Sequence, residues 1–278
     1  MYSTKAWAVV PAATLLLCPL AVEAKTFTES LASGKTTVNA RMRYENVVDQ
    51  AFAGEAEAMT IRTRLGYETA PIGGVTALVE FEDIHTLGGM DDYQLPAPPK
   101  PLATGDAVIA DPEQTELNRV QLRYRGIPRL DLTLGRQRLM WDNQRFIGNV
   151  GFRQDEQTFD AFSAAYTGIT DLTVNYAYVD HVDGIIETTD ANVSDSLVNI
   201  AYTGLTVGKL IAYNYALSNQ TYDLATLNPG LNYDHNDTRG LRFDGAYVLP
   251  TTVPLKALYR AEYAKQRVEM RDGKKYDT

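Results

Sequence analysis

The sequence predicts an all-β fold, a transmembrane antiparallel up-and-down β-barrel, on three observations. Apolar and polar residues alternate with period two through about eleven segments of roughly ten residues, the length of a tilted strand that crosses a bilayer. The connections alternate between short and long, as periplasmic turns and outer loops do in such barrels. The 278 residues include 17 Tyr against 8 Phe and 2 Trp, and the tyrosines gather at segment ends.

Residues 1–24 read as a Sec signal peptide. Lys5 precedes a mostly apolar stretch from Ala6 to Leu20, and Ala21-Val22-Glu23-Ala24 is a small-x-small ending that can be cleaved before Lys25. Residues 25–278 then form one barrel domain. The single cysteine, Cys18, lies in the leader, so the mature chain offers no disulfide, thiol nucleophile or thiolate metal ligand. Leu17 is not the small residue that a lipoprotein cut before Cys18 requires. After residue 24 no apolar run is long enough for a transmembrane helix, so a membrane would have to be crossed by strands.

The strands begin at Val38, where Val38, Ala40, Met42 and Tyr44 oppose Asn39, Arg41, Arg43 and Glu45. Met59, Ile61, Leu65 and Tyr67 oppose Thr60, Arg62, Arg64 and Glu68, and Val75, Ala77, Val79 and Phe81 oppose Glu80 and Glu82. Val120, Leu122 and Tyr124 oppose Arg119, Gln121, Arg123 and Arg125, while Leu130, Leu132 and Leu134 oppose Asp131 and Thr133. Further strands start near Thr158, Leu172, Ser196, Thr206, Thr238 and Leu255, and no segment has a convincing helical period.

Short turns fall at Ala70–Gly74, Gly126–Arg129, Gly168–Asp171, Gly204–Thr206 and Pro250–Pro254, and long polar loops at 46–58, 86–115, 140–157, 180–195 and 218–237. Tyr124-Arg125-Gly126-Ile127, Tyr166-Thr167-Gly168-Ile169 and Tyr202-Thr203-Gly204-Leu205 repeat one hairpin unit. Tyr67, Tyr124, Tyr166, Tyr202 and Tyr247 end strands at the short-turn side, and Tyr44, Tyr178, Tyr215 and Tyr263 at the long-loop side. Two girdles of amphipathic rings result, as two membrane interfaces favour.

With the apolar face toward lipid, the polar face lines the lumen. Arg41, Arg43, Arg62, Arg64, Arg119, Arg123, Arg125, Arg242 and Arg260 all fall on it, with Glu45, Glu80, Glu82, Asp131, Asp244 and Glu262 as carboxylates. Guanidinium stays charged at any relevant pH and grips carboxylate in a two-pronged geometry, so such a ladder suits anionic solutes. The alternative is a structural or adhesive barrel in which these arginines pair with the acids, the lumen is closed and outer loops bind partners. The net charge of −9 argues against a nucleic-acid coat and does not contradict a basic lumen. Asp91, Asp92, Asp106, Asp111 and Glu113 gather in loop 86–115, whose segment from Leu95 to Pro101 reads as stiff and extended, able to arch over a pore mouth or fold into it.

His85, His181 and His235 lie near outer loops without metal-ligand spacing, and there is no nucleophile elbow or phosphate-binding loop. An enzyme, a metal and a cofactor are therefore not expected. The surroundings expected of such a barrel are outer-membrane lipid and lipopolysaccharide, with the barrel-assembly machinery acting during insertion. The odd strand count, with an unpaired strand at each edge, leads to the expectation that this is a fragment of a larger, even-numbered barrel, incomplete at its C-terminal side.

One stretch goes beyond periodicity: Gly135-Arg136-Gln137-Arg138, then Asp142-Asn143-Gln144-Arg145-Phe146-Ile147-Gly148, Arg153-Gln154, and Thr158-Phe159-Asp160-Ala161. Over residues 135–162 the chain resembles the alginate-export family of outer-membrane porins, and more diffusely so from about 36 to 267. The resemblance implies a monomeric barrel and a positively charged conduit for an anionic polyuronate. It also implies that Arg136, Arg138, Arg145 and Arg153 contact the anion, with Asp142 and Asp160 holding them by ion pairs.

Overall fold

The computed structural model describes residues 26–93, 105–186, 189–220, 233–249 and 255–278. The expected signal peptide, the Leu95–Pro101 segment and the Pro250–Pro254 turn lie outside the described residues. A short helix α1 (Phe27–Ala32) is followed by strands β1 (Lys35–Val47), β2 (Ala56–Glu68), β3 (Val75–Asp92), β4 (Gln114–Tyr124), β5 (Leu130–Gln137) and β6 (Thr158–Ile169). β7 (Leu172–Asp183), β8 (Ala191–Leu205), β9 (Gly208–Ser218), β10 (Tyr233–Leu249), β11 (Leu255–Met270) and β12 (Lys275–Asp277) complete the order.

All twelve strands form one antiparallel sheet in which each strand pairs with its neighbours in sequence. The up-and-down meander is thus the one read from the alternating connections, with one addition: β12 is a three-residue return against Arg267–Glu269. Among the described residues, β1 does not pair with the β11–β12 end, so the sheet is curled and open. Three strands outrun their periodicity. β3 continues to Asp92 into loop 86–115, β8 starts at Ala191 and β10 at Tyr233, because backbone pairing persists after the lipid-like alternation has ended.

Helix α1 departs from the expectation of no helix. Thr26 caps it: its Oγ1 accepts from the Glu29 amide at 3.3 Å, and the Glu29 carboxylate accepts from the Thr26 amide at 2.8 Å. This capping box is legible as Thr-x-x-Glu, but one helical turn is too short to show a period. Ser30 is buried and donates its hydroxyl to the Ala70 carbonyl, which seats α1 on the short turn between β2 and β3.

The two faces of the sheet differ as alternation requires. Met42, Leu122 and Leu134 on the convex face are 65%, 52% and 58% exposed, whereas Arg62, Arg64, Glu80 and Glu82 on the concave face are buried. At the short-turn side the repeated Tyr-x-Gly unit acquires a geometry. The rings of Tyr124, Tyr166 and Tyr202 lie against Gly126, Gly168 and Gly204, two residues on, where a β-carbon would collide with them. Each ring therefore covers backbone that the glycine leaves bare. Tyr215 departs from the expected outer girdle. It is buried on the concave face, stacked on Tyr213 at 5.1 Å, with its hydroxyl accepting from Asn199 at 3.1 Å.

β5 is the shortest of the first eleven strands. It pairs with β4 only over Val120–Tyr124, so Gln114–Arg119 pair with β3 alone. At Gln137 the chain leaves the wall, crosses the concave side as loop 138–157, and returns at Thr158 as β6. Gly135 stands just before this departure with φ +109°, and a β-carbon there would strike the carbonyl of Val120 on β4. Gly135→Ala is expected to cost about 1–3 kcal/mol through backbone strain and the clash. The check is a lower temperature for the loss of the compact, heat-modifiable band on gels. An unchanged transition would mean that the strand tolerates a side chain there.

Candidate functional site

The concave face is organised by loop 138–157, which touches both sides of the curled sheet. Its first half lies against β9–β11. Phe146 packs 5.4 Å from Tyr213 and 6.0 Å from Tyr215, Trp141 stands 6.3 Å from Tyr215, Asp142 pairs with Arg242, and Arg145 reaches Glu262 at 3.0 Å. Its second half lies against β1 and β2. The carbonyls of Gly151 and Phe152 accept from Arg41 and Arg43 at 3.0 and 2.7 Å, and Arg153 meets Glu45 at 3.3 Å.

Gln154 resolves a local conflict. Register places Arg41 directly opposite Arg62, a like-charge pair that destabilises a sheet unless acceptors intervene. The Gln154 side chain accepts from Arg41 at 2.9 Å and its carbonyl from Arg62 at 3.3 Å, while its amide nitrogen donates to Thr60 Oγ1 at 2.7 Å. The residue is fully buried, and its backbone N–H donates to Asp111 at 2.8 Å. Asp111 belongs to the β3–β4 loop, whose residues 105–113 also fold inward. Ala107 and Ile109 pack with Ala56, Ala58 and Tyr93, and the Tyr93 hydroxyl donates to the Asp111 carbonyl at 2.8 Å. This part of the loop is therefore built into the interior and does not simply extend outward.

The next layer joins wall to loop by charge. Arg64 pairs with Glu82, its cross-strand neighbour, and reaches Glu156 of the loop at 3.2 Å. Arg119 grips Glu80 through two bonds of 2.9 and 2.7 Å. A bulge in β4 turns Asn118 inward as well, so that it donates to Glu80 at 3.0 Å and to Glu156 at 2.9 Å. Arg138 pairs with both Glu80 and Glu156. Toward the short-turn side, Arg123 and Arg125 share Asp131 at 2.7 and 2.9 Å, and Arg260 meets Asp244 at 2.5 Å.

Several sequence expectations are relocated. Arg136 sits opposite Val120 and two residues from Leu134, on the convex face, where it pairs with Asp160 at 2.9 Å and with Asp183. It does not line the lumen, because β5 alternates without interruption through Gln137, which points inward to the Ala161 carbonyl at 2.8 Å. Asp160 does hold an arginine of the motif, whereas Asp142 holds Arg242, with Lys209 at 3.8 Å, and none of the motif's four. Arg145 is the most exposed of those four and lies over the Phe146 ring at 5.1 Å. Sequence reasoning missed Glu116, Asn118, Asp155, Glu156, Tyr213 and the roles of Asp111 and Gln154. All but the strand residues Glu116, Asn118 and Tyr213 sit in irregular backbone, where period two gives no direction.

Two loop carboxyls respond in opposite ways to this setting. Burial alone would raise Glu156, but the hydrogen bond from Arg138 and the charge of Arg64 hold it below the usual carboxylate range. Burial, followed by the charges of Glu116 and Glu82, pushes Asp155 up to about 9. Beneath the loop the concave face leaves a cavity of about 360 Å³ lined by Arg119, Arg123, Asp131, Gln137, Arg138 and Trp141.

The whole fold is similar to that of several solved structures. The structure of Acinetobacter baumannii OccAB3 superposes with a TM-score of 0.64 at 14% identity, covering 88% of this chain and 61% of that one. Acinetobacter baumannii OccAB1 follows at 0.57 and 15%, covering 89% and 55%. A BenF-like porin from Pseudomonas fluorescens Pf-5 gives 0.57 and 12%, covering 86% and 59%. The fold is shared with these three proteins, one of them a porin. The chain spans between 55% and 61% of the length of these three structures. No protein-family model and no curated protein sequence matches it, so the resemblance of residues 135–162 to alginate-export porins rests on those residues alone.

The depressed Glu156 carboxyl gives a pH dependence with a definite sign. Its contribution to holding the loop is fully present above its unfolded value and is lost as pH falls through the lower, folded one. Acidification below about pH 4 is therefore expected to loosen loop 138–157 and speed proteolysis near Arg145 in the folded protein. Glu156→Gln is expected to show that faster cleavage already at pH 7. Equal cleavage of variant and wild type at pH 7 would show that the loop is held by other contacts.

Proposed function

We propose that this chain builds the wall and constriction of a porin in the bacterial outer membrane that passes anionic solutes: acidic sugars, or a polyuronate such as alginate taken in single file. The observation that carries this reading is the array of guanidinium groups on the concave face. Arg41, Arg43, Arg62 and Arg64 on β1 and β2 continue through Arg119, Arg123, Arg125 and Arg138 to Arg153, Arg242 and Arg260. Arg125, Arg145 and Arg260 are more than half exposed, so they are available to a passing carboxylate although each also touches an acid. The cavity beneath the loop is near the lower end of small-ligand sites, which favours one sugar-acid unit at a time. In this reading the convex apolar face meets lipid and lipopolysaccharide, the assembly machinery inserts the barrel, and the channel acts as a monomer.

A second reading, a structural or adhesive barrel with a closed lumen, draws on the same network. The buried arginines are engaged by protein groups, and loop 138–157 crosses the interior. Conductance separates the two. In planar bilayers across a KCl gradient, the reversal potential is expected to report anion preference, fading as the Debye length falls from about 10 Å at 0.1 M to about 3 Å at 1 M. Arg125→Gln is expected to reduce that preference without loosening the loop, since Arg123 still holds Asp131. Arg62 and Arg64 serve less well, because replacing them strips Glu82 and the loop of their partners. A cation-selective channel would remove the anionic solute, and no conductance at all would favour the closed barrel.

A further inference from the structure

Where β5 leaves the wall, three carboxylates from three different segments converge: Glu82 on β3, Glu116 on β4 and Asp155 on the loop that crosses the interior. One oxygen from each lies within 4.8 Å of those of the other two. Glu82 and Asp155 are both 0% exposed. Each has one oxygen engaged by the protein, Glu82 Oε2 by Arg64 and Asp155 Oδ2 by the Gln114 amide at 2.7 Å. The second oxygen of each, Glu82 Oε1 and Asp155 Oδ1, is buried with no hydrogen-bond partner.

We propose that Glu82, Glu116 and Asp155 form a divalent-cation site of the calcium class, which ties the pore-crossing loop to the wall. Three carboxylates this close favour a further positive partner, because the cations within reach are divided among other acids. Arg64 also serves Glu156 at 3.2 Å, Arg62 stands 3.9 Å from Glu82, the charge of Arg136 acts on Glu116 but is already shared by Asp160 and Asp183, and Gln114, which donates to both Glu116 and Asp155, is neutral. Buried carboxylates without compensation are costly. A proton shared between Asp155 Oδ1 and Glu82 Oε1 would satisfy both orphaned oxygens but still leave Glu116 facing Glu82, whereas a divalent ion meets all three carboxylates at once. An all-oxygen, all-carboxylate donor set selects hard cations over zinc or copper. The other mixed cluster of the described residues, His181 with Asp183 and Asp190, already has the Arg136 guanidinium on Asp183 and lacks this deficit.

The test uses the full chain folded in detergent micelles, stripped with EDTA and equilibrated with calcium chloride. Bound calcium is measured by elemental mass spectrometry alongside the midpoint of heat unfolding. Wild type is expected to hold one calcium more than the double variant Asp155→Asn/Glu116→Gln, and calcium is expected to raise the midpoint of the wild type alone. Asp190→Asn is expected to retain that ion. Should the double variant not fold, Glu116→Gln alone, at a partly exposed position, is expected to weaken calcium binding by at least about tenfold. Equal calcium content in wild type and the folded variant, or a wild-type midpoint that calcium leaves in place, overturns the site. Neither result touches the anionic-porin reading, which is judged on reversal potentials.

Discussion

A desolvated network of guanidinium and carboxylate groups joins the wall of this protein to the loop inside it. Arg64 reaches Glu82 on the wall and Glu156 on the loop, and Arg138 of the loop reaches Glu80 and back to Glu156. Removing one member of such a set leaves another charge buried without a partner, commonly at about 3–5 kcal/mol, whereas the intact set is close to neutral. The register of β2, β3 and β4 and the path of the loop are therefore interdependent. The strands place Glu80 and Glu82 in one row, and the loop supplies the groups that make that row tolerable.

This arrangement divides the interior. On the side of β1 to β5 the surface is guanidinium and carboxylate, while β9 presents the stacked Tyr213 and Tyr215, with Trp141 and Phe146 of the loop against them. Under the proposed function, a solute passing between them would meet charge on one flank and ring faces on the other, as a sugar acid with a carboxylate edge and an apolar face can use. The arginines deepest in the network serve the architecture, and those near the short turns keep more of their surface. A count of concave-face arginines therefore overstates the positive charge left uncompensated there.

The wall was legible because one rule governs it. A strand with lipid-like residues on one face and polar residues on the other declares its period, and Val38–Glu45 or Val120–Arg125 leave no choice of phase. The ion pairs Arg64–Glu82, Glu80–Arg119 and Asp244–Arg260 follow from that phase plus register, yet register is set by turns and bulges that the alternation does not contain. Asn118 shows the limit: a bulge turns two consecutive residues to the same side, which period two forbids. The loop was marked as special by its motif, but Asp155 and Glu156 point where the fold needs them. Nothing local distinguishes the raised carboxyl from the lowered one.

The early departure of β5 has a consequence for how the wall can sit in a bilayer. Above Val120, β4 has β3 on one side and no strand partner on the other, so its edge N–H and C=O groups turn toward the gap through which the loop enters. Hydrocarbon does not tolerate such an edge, because nothing there can accept or donate a hydrogen bond. On this flank the acyl chains must therefore stop at the level of Leu134, and the ion-paired Arg136, Asp160 and Asp183 just above it lie at headgroup depth. The rim is scalloped: the membrane boundary dips at β5 and rises again along the longer strands to either side.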